Sequence, residues 1–215
     1  MNTRTLIQRY DAAAPFWTEK MTALGYAAAY TSFARAALER VPVPARLCDV
    51  GCGSGSFAQA VVRAIGPAPW VTLVDPSPQM LRLAAARIGP IAAGLDQWPV
   101  PLHLMQGQFD MVLAAHVIEH CPDPAAALAD LARLLRPGGA LLLVASRPHW
   151  CQWLIWLLWR HRWFGAAQIV GWATQAGFDH LLTYPFAAGP PRRTSLGHVF
   201  LRSPDIKDPS CLSLS

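Results

Sequence analysis

A chain of 215 residues, 53% hydrophobic and 14% charged, is long enough to build one domain around its own core. Its net charge of +5 comes from scattered arginines, with no basic stripe interleaved with aromatics. Nucleic-acid binding is therefore not expected, while a mild attraction to an anionic lipid or substrate is. The five cysteines (48, 52, 121, 151 and 211) form no CxxC pair and no metal-ligand spacing, so a reduced, cytoplasmic, metal-free chain is expected. No apolar run is long enough to span a bilayer, and the residues after Met1 lack the apolar core of an export signal.

Residues 4–39 read as helix with a break near Gly25. Tyr10, Phe16, Trp17, Met21 and Leu24, then Tyr26, Tyr30, Phe33 and Leu38, make an apolar stripe at three- and four-residue spacing. Such a stripe packs on a sheet; Tyr10, Phe16 and Trp17 can also face a ligand. Pro42 and Pro44 end the helical part.

Leu47-Cys48-Asp49-Val50-Gly51-Cys52-Gly53-Ser54-Gly55-Ser56-Phe57 is a short apolar strand ending near an acid, a turn with three alternating glycines, and the start of an alanine-rich helix. Those are the parts of a first βα unit in a nucleotide-binding α/β fold. Gly51 and Gly53 let the backbone turn sharply and let a ligand lie against it. The helix runs from Phe57 to Ile65 and stops at Gly66-Pro67. Val71-Thr72-Leu73-Val74-Asp75 is a second strand tipped by a carboxylate, 24 residues beyond Gly51, where an acid accepts hydrogen bonds from the hydroxyls of a ribose. Ser77 caps the next helix, Pro78 to Arg87, and Met80 on its first turn either touches adenine or joins the core.

Two details favour S-adenosylmethionine over a dinucleotide. Ser56 stands where the dinucleotide fingerprint needs its third glycine. Asp49 would repel a pyrophosphate but suits a cationic amino group.

Pro90 to Ala93 reads as a short third strand, and Phe109 to Ala115 as a fourth. His116-Val117-Ile118-Glu119-His120 follows at the carboxyl end of the fourth, where ligands bind in open parallel sheets. Glu119 either orients a loop or pairs with an arginine. Pro124 to Leu135 is a helix, Arg136-Pro137-Gly138-Gly139 the turn into a fifth strand, and Ala140 to Ala145 that strand. Between His149 and Phe164, Trp150, Trp153, Trp156 and Trp159 recur every three residues among leucines and isoleucine, with arginines following. Such a segment, apolar nearly all round, must be buried, meet a partner or enter a membrane interface. Gly165 to Ala176 is the last helix. Phe178 to Phe186 and Gly197 to Arg202 are strands separated by a polar, proline-rich loop, Gly189 to Ser195.

At Asp49-Val50-Gly51-Cys52-Gly53-Ser54-Gly55, Val74-Asp75-Pro76-Ser77, Phe109-Asp110-Met111-Val112, Val117-Ile118-Glu119-His120 and Leu135-Arg136-Pro137-Gly138-Gly139 the chain resembles the class I S-adenosylmethionine-dependent methyltransferases, in particular the methyltransferase-11 type of small-molecule and lipid enzymes. The resemblance is dense over residues 45 to 147. It implies an α/β, Rossmann-like, seven-stranded and mostly parallel sheet with the last strand antiparallel and helices on both faces. Residues 1–45 would form a helical lid with Tyr10 and Trp17 toward the substrate, 46–203 the cofactor-binding domain, and 204–215 a tail. Asp96-Gln97-Trp98-Pro99 resembles the segment that binds adenine in the family, although the family's acid stands further from the proline. The Trp-rich insertion after strand five would cap the substrate pocket through Trp150 and Trp153.

The expected function is methyl transfer from S-adenosylmethionine to a small apolar or aromatic acceptor: a quinone-like compound, a lipid or a hydrophobic metabolite. Asp49, Gly51, Cys52 and Gly53 would hold the methionine portion, Asp75 and Pro76 the ribose, and Asp96, Gln97 and Trp98 the adenine. His120 or His116 would take a proton from a hydroxyl or amine acceptor; a carbon or thiol acceptor needs no such base. The alternative keeps the fold as a non-catalytic cofactor-binding or membrane-surface protein acting through its tryptophans. A nicotinamide dehydrogenase is disfavoured by Ser56.

Overall fold

The computed structural model describes residues 3–98, 106–150 and 162–204. Two helices come first, α1 (Thr3–Ala23) and α2 (Tyr26–Leu38), divided at Gly25 with φ 86°, a left-handed conformation that favours glycine. Then follow β1 (Arg46–Val50), α3 (Ser56–Ala64), β2 (Trp70–Val74) and α4 (Pro78–Ile88). Ser77 caps α4, its hydroxyl accepting from Met80 N, and Pro78 opens the first turn, where a missing N–H costs nothing. Met80 is fully buried and outside the cavity wall, which settles it as core.

The third strand differs from expectation. Residues Gly89–Ile91 form a single 3-10 turn, and β3 is Gly94–Trp98. Beyond it run β4 (Phe109–Ala115), α5 (Pro124–Leu134) and β5 (Leu135–Ser146). The Arg136–Gly139 stretch is the irregular start of β5 and not a separate turn before it, with a register shift opposite Phe109 and Met111. The chain then passes through a helix at Ala166–Gln175, β6 (Phe178–Pro185), a short helix at Gly189–Thr194 and β7 (Ser195–Arg202). That short helix stands where a loop was expected, because Pro190 and Pro191 occupy its first positions, where proline's fixed φ suits a helix start.

The strands form one seven-stranded sheet in the order β3-β2-β1-β4-β5-β7-β6. Pairs from β3 through β5 are parallel; β7 runs antiparallel to both β5 and β6. Side chains alternate between faces with the period of a strand. Leu47, Leu73, Leu113 and Val144 enter one core with α2, α3 and α4. Cys48, Val112, Leu143 and Phe200 enter a second core on the opposite face, with α5 and the helix at Ala166–Gln175. Asp110 locks the entrance to β1: its Oδ2 accepts from Ala45 N and Arg46 N at 2.7 and 2.9 Å, and its Oδ1 pairs with Arg136.

The helix α2 lies on the same face of the sheet as α1, whose Met21 and Leu24 pack against the same core. The Phe33 ring lies against Gly197 of β7, so close that a Cβ there would meet it at 2.7 Å. Tyr26 Oη shares hydrogen bonds with Thr194 and Ser195 at 3.1 and 3.3 Å. No described helix is long and apolar enough to cross a membrane.

Candidate active site

Order reversal between β1 and β4 opens a crevice at the carboxyl edge of the sheet, the place where α/β folds bind ligands. A cavity of ≈ 340 Å³ lies there. Its floor is the turn after β1, its far wall the segment after β4, and its roof α1.

The turn is shaped by hydrogen bonds. Gly51 N and Cys52 N both donate to Val74 O of β2, at 2.7 and 3.0 Å. Gly51 has φ 65°, and a Cβ on it would stand 2.6 Å from Val117 Cγ2, so only glycine fits between β1 and the post-β4 segment. Gly53 has φ 51°; a Cβ there would enter the space under the Trp17 indole, whose Nε1 would lie 3.9 Å away.

Asp75, one residue past β2, staples this turn. Its Oδ2 accepts from Gly53 N at 2.9 Å and its Oδ1 from Ser77 N at 2.8 Å. Burial raises its carboxyl pKa, the two N–H donors oppose the rise, and the net shift is upward. Asp49 is different. It is buried, takes a backbone hydrogen bond from Ala58 on α3, and leaves Oδ2 with no hydrogen-bond partner among the described residues. Burial, then the neighbouring charge of Asp75, push its carboxyl up to about 8.

His116 leaves β4 with φ 58°, a left-handed conformation seldom adopted by a residue with a Cβ. It is held by its backbone N–H to Val144 O at 2.8 Å. Its Nδ1 donates to Glu119 Oε1 at 3.0 Å and lies 3.2 Å from Ser146 Oγ. Glu119 makes no arginine ion pair among the described residues: the same oxygen accepts from Ser146 N at 2.7 Å, and the carboxylate fixes the histidine against β5. Burial would raise the Glu119 carboxyl, but the His116 hydrogen bond and charge outweigh it and leave it below its ordinary value. His120 Nε2 lies 3.2 Å from Tyr10 Oη. Desolvation lowers the His120 pKa, so its imidazole is neutral at pH 7; burial raises the Tyr10 phenol.

Polar clasps hold α1 over the cavity, among them Tyr10 to His120, Asp11 to the Ser77 hydroxyl, and Thr18 to Arg87 Nη2 at 2.9 Å. Tyr10 and Trp17 meet edge to face, ring centroids 5.5 Å apart.

Of the residues expected at the site, the cavity gathers Tyr10, Trp17, Asp49, Gly51, Cys52, Gly53, Asp75, Pro76, His116 and His120. Five stand elsewhere or beyond view. Asp96 and Gln97 lie within β3 and outside the cavity wall, and Asp96 Oδ2 accepts from the Trp70 indole N–H at 2.7 Å. Trp98 ends β3, half-exposed and likewise off the wall. Trp150 is 75% exposed and does not reach the cavity, while Trp153 lies outside the described residues. Phe16 on α1 faces solvent, 71% exposed. Sequence reading missed Tyr30, Phe57 and Ser77 as wall residues. Tyr30 and Phe57 were legible only as packing positions, and Ser77 only as a cap.

A family described as a methyltransferase domain matches residues 23–183. The biotin biosynthesis bifunctional protein BioCD of Bordetella avium (strain 197N) is 35% identical over 150 residues, 65% of this chain and 30% of that protein. A ubiquinone biosynthesis O-methyltransferase of Xylella fastidiosa (strain 9a5c) is 34% identical over 117 residues, 49% of this chain and 44% of that protein. The chain thus spans less than half the length of these two relatives. Among solved structures, magnesium protoporphyrin IX methyltransferase (ChlM) from Synechocystis PCC 6803 with bound SAM aligns with a TM-score of 0.64 at 22% identity, covering 86% of this chain and 83% of that one.

An α/β sheet with a glycine turn between two buried strand-tip acids defines a nucleoside-binding protein of the Rossmann-like class. The chain belongs to the methyltransferase-domain family, within the class I S-adenosylmethionine-dependent methyltransferases. Its residues fit that cofactor: the unpartnered Asp49 Oδ2 suits an ammonium, and the space over Gly53 suits a chain laid along the backbone.

Proposed function

We propose that this chain methylates a small, apolar or aromatic acceptor, and that a hydroxyl on an aromatic ring is its substrate group. The observation that carries the reading is the pair of buried acids flanking one glycine turn, with Asp49 Oδ2 lacking a counter-charge. S-adenosylmethionine, when bound, supplies a sulfonium whose methyl group is already activated for transfer.

The chain's own residues then have three tasks. Asp49 holds the cationic amino group, and Asp75 accepts from ribose hydroxyls while still shaping the turn. Trp17 and Tyr10 on α1 exclude water above the reacting atoms, which methyl transfer needs more than it needs acid–base machinery. His120, neutral at pH 7, takes the proton that a hydroxyl acceptor loses, its Nε2 being freed when Tyr10 moves aside. His116, clamped by Glu119, orients the wall beside it.

Apolar and aromatic wall residues (Met21, Tyr30, Phe57 and Val117) support an apolar acceptor, and the likeness to a ubiquinone biosynthesis O-methyltransferase supports a phenolic one. The test is calorimetric titration with S-adenosylmethionine and S-adenosylhomocysteine, followed by a methylation assay on catechols and quinols. Micromolar binding of both ligands and methyl ether formation on a catechol are expected. Failure of folded protein to bind either ligand would overturn the reading.

A further inference from the structure

A second cleft, ≈ 350 Å³, adjoins the cavity at Ser56, the first residue of α3. Four helices line it: α1 with Thr18, α2 with Arg35, α3 with Ser56, Gln59 and Arg63, and α4 with Arg87. Ser56 belongs to both the cleft and the cavity. Three guanidinium groups face this space, and no carboxylate is among the described residues that line it.

Converging cations without an anion is an unfavourable arrangement for a folded protein. Arg87 is half-buried, and its guanidinium partners are all neutral: Ser56 Oγ, Ser54 Oγ at 3.3 Å, and Thr18 Oγ1 at 2.9 Å. Arg35 and Arg63 make no ion pair among the described residues. Burial and then the charge of Arg63 lower the Arg87 pKa, which accords with two cations sharing one space. Hydroxyl donors from Thr18 and Ser56, an amide from Gln59 and planar guanidinium forks are the groups that recognise a tetrahedral oxyanion.

We propose that this cleft is a binding site for a phosphate-class oxyanion, held between Arg35, Arg63 and Arg87 and bridging α1 to the helices behind the glycine turn. The ligand is either free phosphate or a phosphomonoester carried on a larger molecule; both present the same doubly charged tetrahedral group. Its three arginines lie outside the wall of the acid-lined cavity, with which the cleft shares Ser56.

The test titrates the full chain calorimetrically with inorganic phosphate in one arm and glycerol phosphate in the other, against chloride at matched ionic strength and without any methyl donor. Saturable binding in at least one arm is expected, weakened about tenfold or more by Arg35→Gln and by Arg63→Gln. Both arginines are exposed, so circular dichroism should be unchanged in the variants. Binding of phosphate alone would identify the free ion as the ligand; binding of the monoester as well would identify a phosphorylated molecule. No saturable binding in either arm, or binding that both variants retain in full, would overturn the proposal.

Discussion

Asp49 and Asp75 sit at the tips of neighbouring parallel strands and are both buried, yet they are satisfied in opposite ways. Asp75 has a backbone donor on each oxygen, so it is complete before any ligand arrives and its first duty is to hold the turn. Asp49 has one oxygen with no partner and a carboxyl pushed up to about 8. The difference separates a group that builds the site from a group that waits for a cation. The first should matter to shape as well as to binding; the second should cost stability that only a ligand returns.

Substituting Asp75→Ala is the strongest way to break this comparison. It removes two charge-assisted hydrogen bonds, each about 1.5–3 kcal/mol, so cofactor affinity should fall on the order of a thousandfold by calorimetry. A fall no larger than that of Asp49→Asn would show that Asp75 does not organise the turn.

Asp49→Asn should weaken cofactor binding about thirtyfold to a hundredfold, leaving an isosteric amide in the same place. It should also remove a pH dependence. In the wild type the cation binds the carboxylate form, so affinity rises with pH until about 8 and then levels. Stability without ligand runs the other way. The folded carboxyl keeps its proton up to about 8, whereas an unfolded aspartate loses it near pH 4, so folding is progressively disfavoured between those values. At pH 8 the ligand-free asparagine variant should therefore melt higher than the wild type, by differential scanning calorimetry. A lower melting temperature would refute the unpaired state of Asp49.

A third acid sharpens the contrast. Glu119 is as buried as Asp49, but it has a histidine partner and a lowered pKa. Glu119→Gln should lower turnover about tenfold, with little change in cofactor affinity, because it loosens His116 and leaves both strand-tip acids alone. Equal losses in affinity and turnover would place Glu119 in the cofactor site. The smallest effect belongs to Tyr10→Phe, which deletes one hydrogen bond to His120 and should cost about threefold to tenfold in turnover. If turnover rises instead, the tyrosine is a brake on His120 and not part of a water-excluding roof.

The strand-tip acids were legible because everything that defines them is local: an apolar run, an acid and a glycine turn within ten or so residues. The register of the third strand was not. Pro90 to Ala93 looked extended, but the pairing that defines β3 is set by Trp70 on the neighbouring strand. Its ring lies on Gly94, where a Cβ would meet Trp70 Cε3 at 2.4 Å, and its indole N–H captures Asp96. A cross-strand contact of that kind leaves no periodicity in the sequence. The same holds for Arg35, Arg63 and Arg87, which come together only when three helices pack. Glu119 shows the reverse case: its position at a strand tip was readable, while its partner depended on where Ser146 of β5 falls beside it.

The last strand in the chain is an inner strand of the sheet. Because β7 pairs with β5 on one side and β6 on the other, a nascent chain that has not reached residue 202 holds two unpaired strand edges, one of them the leucine-rich stretch 140–146. Helix α2, whose Tyr30 lines the cavity, waits on the same event, since Phe33 rests on Gly197 and Tyr26 bonds to Thr194 and Ser195. During synthesis α2 is thus made long before the strand it docks on. A ribosome paused shortly before β7 would present an aggregation-prone edge and an undocked α2 at once.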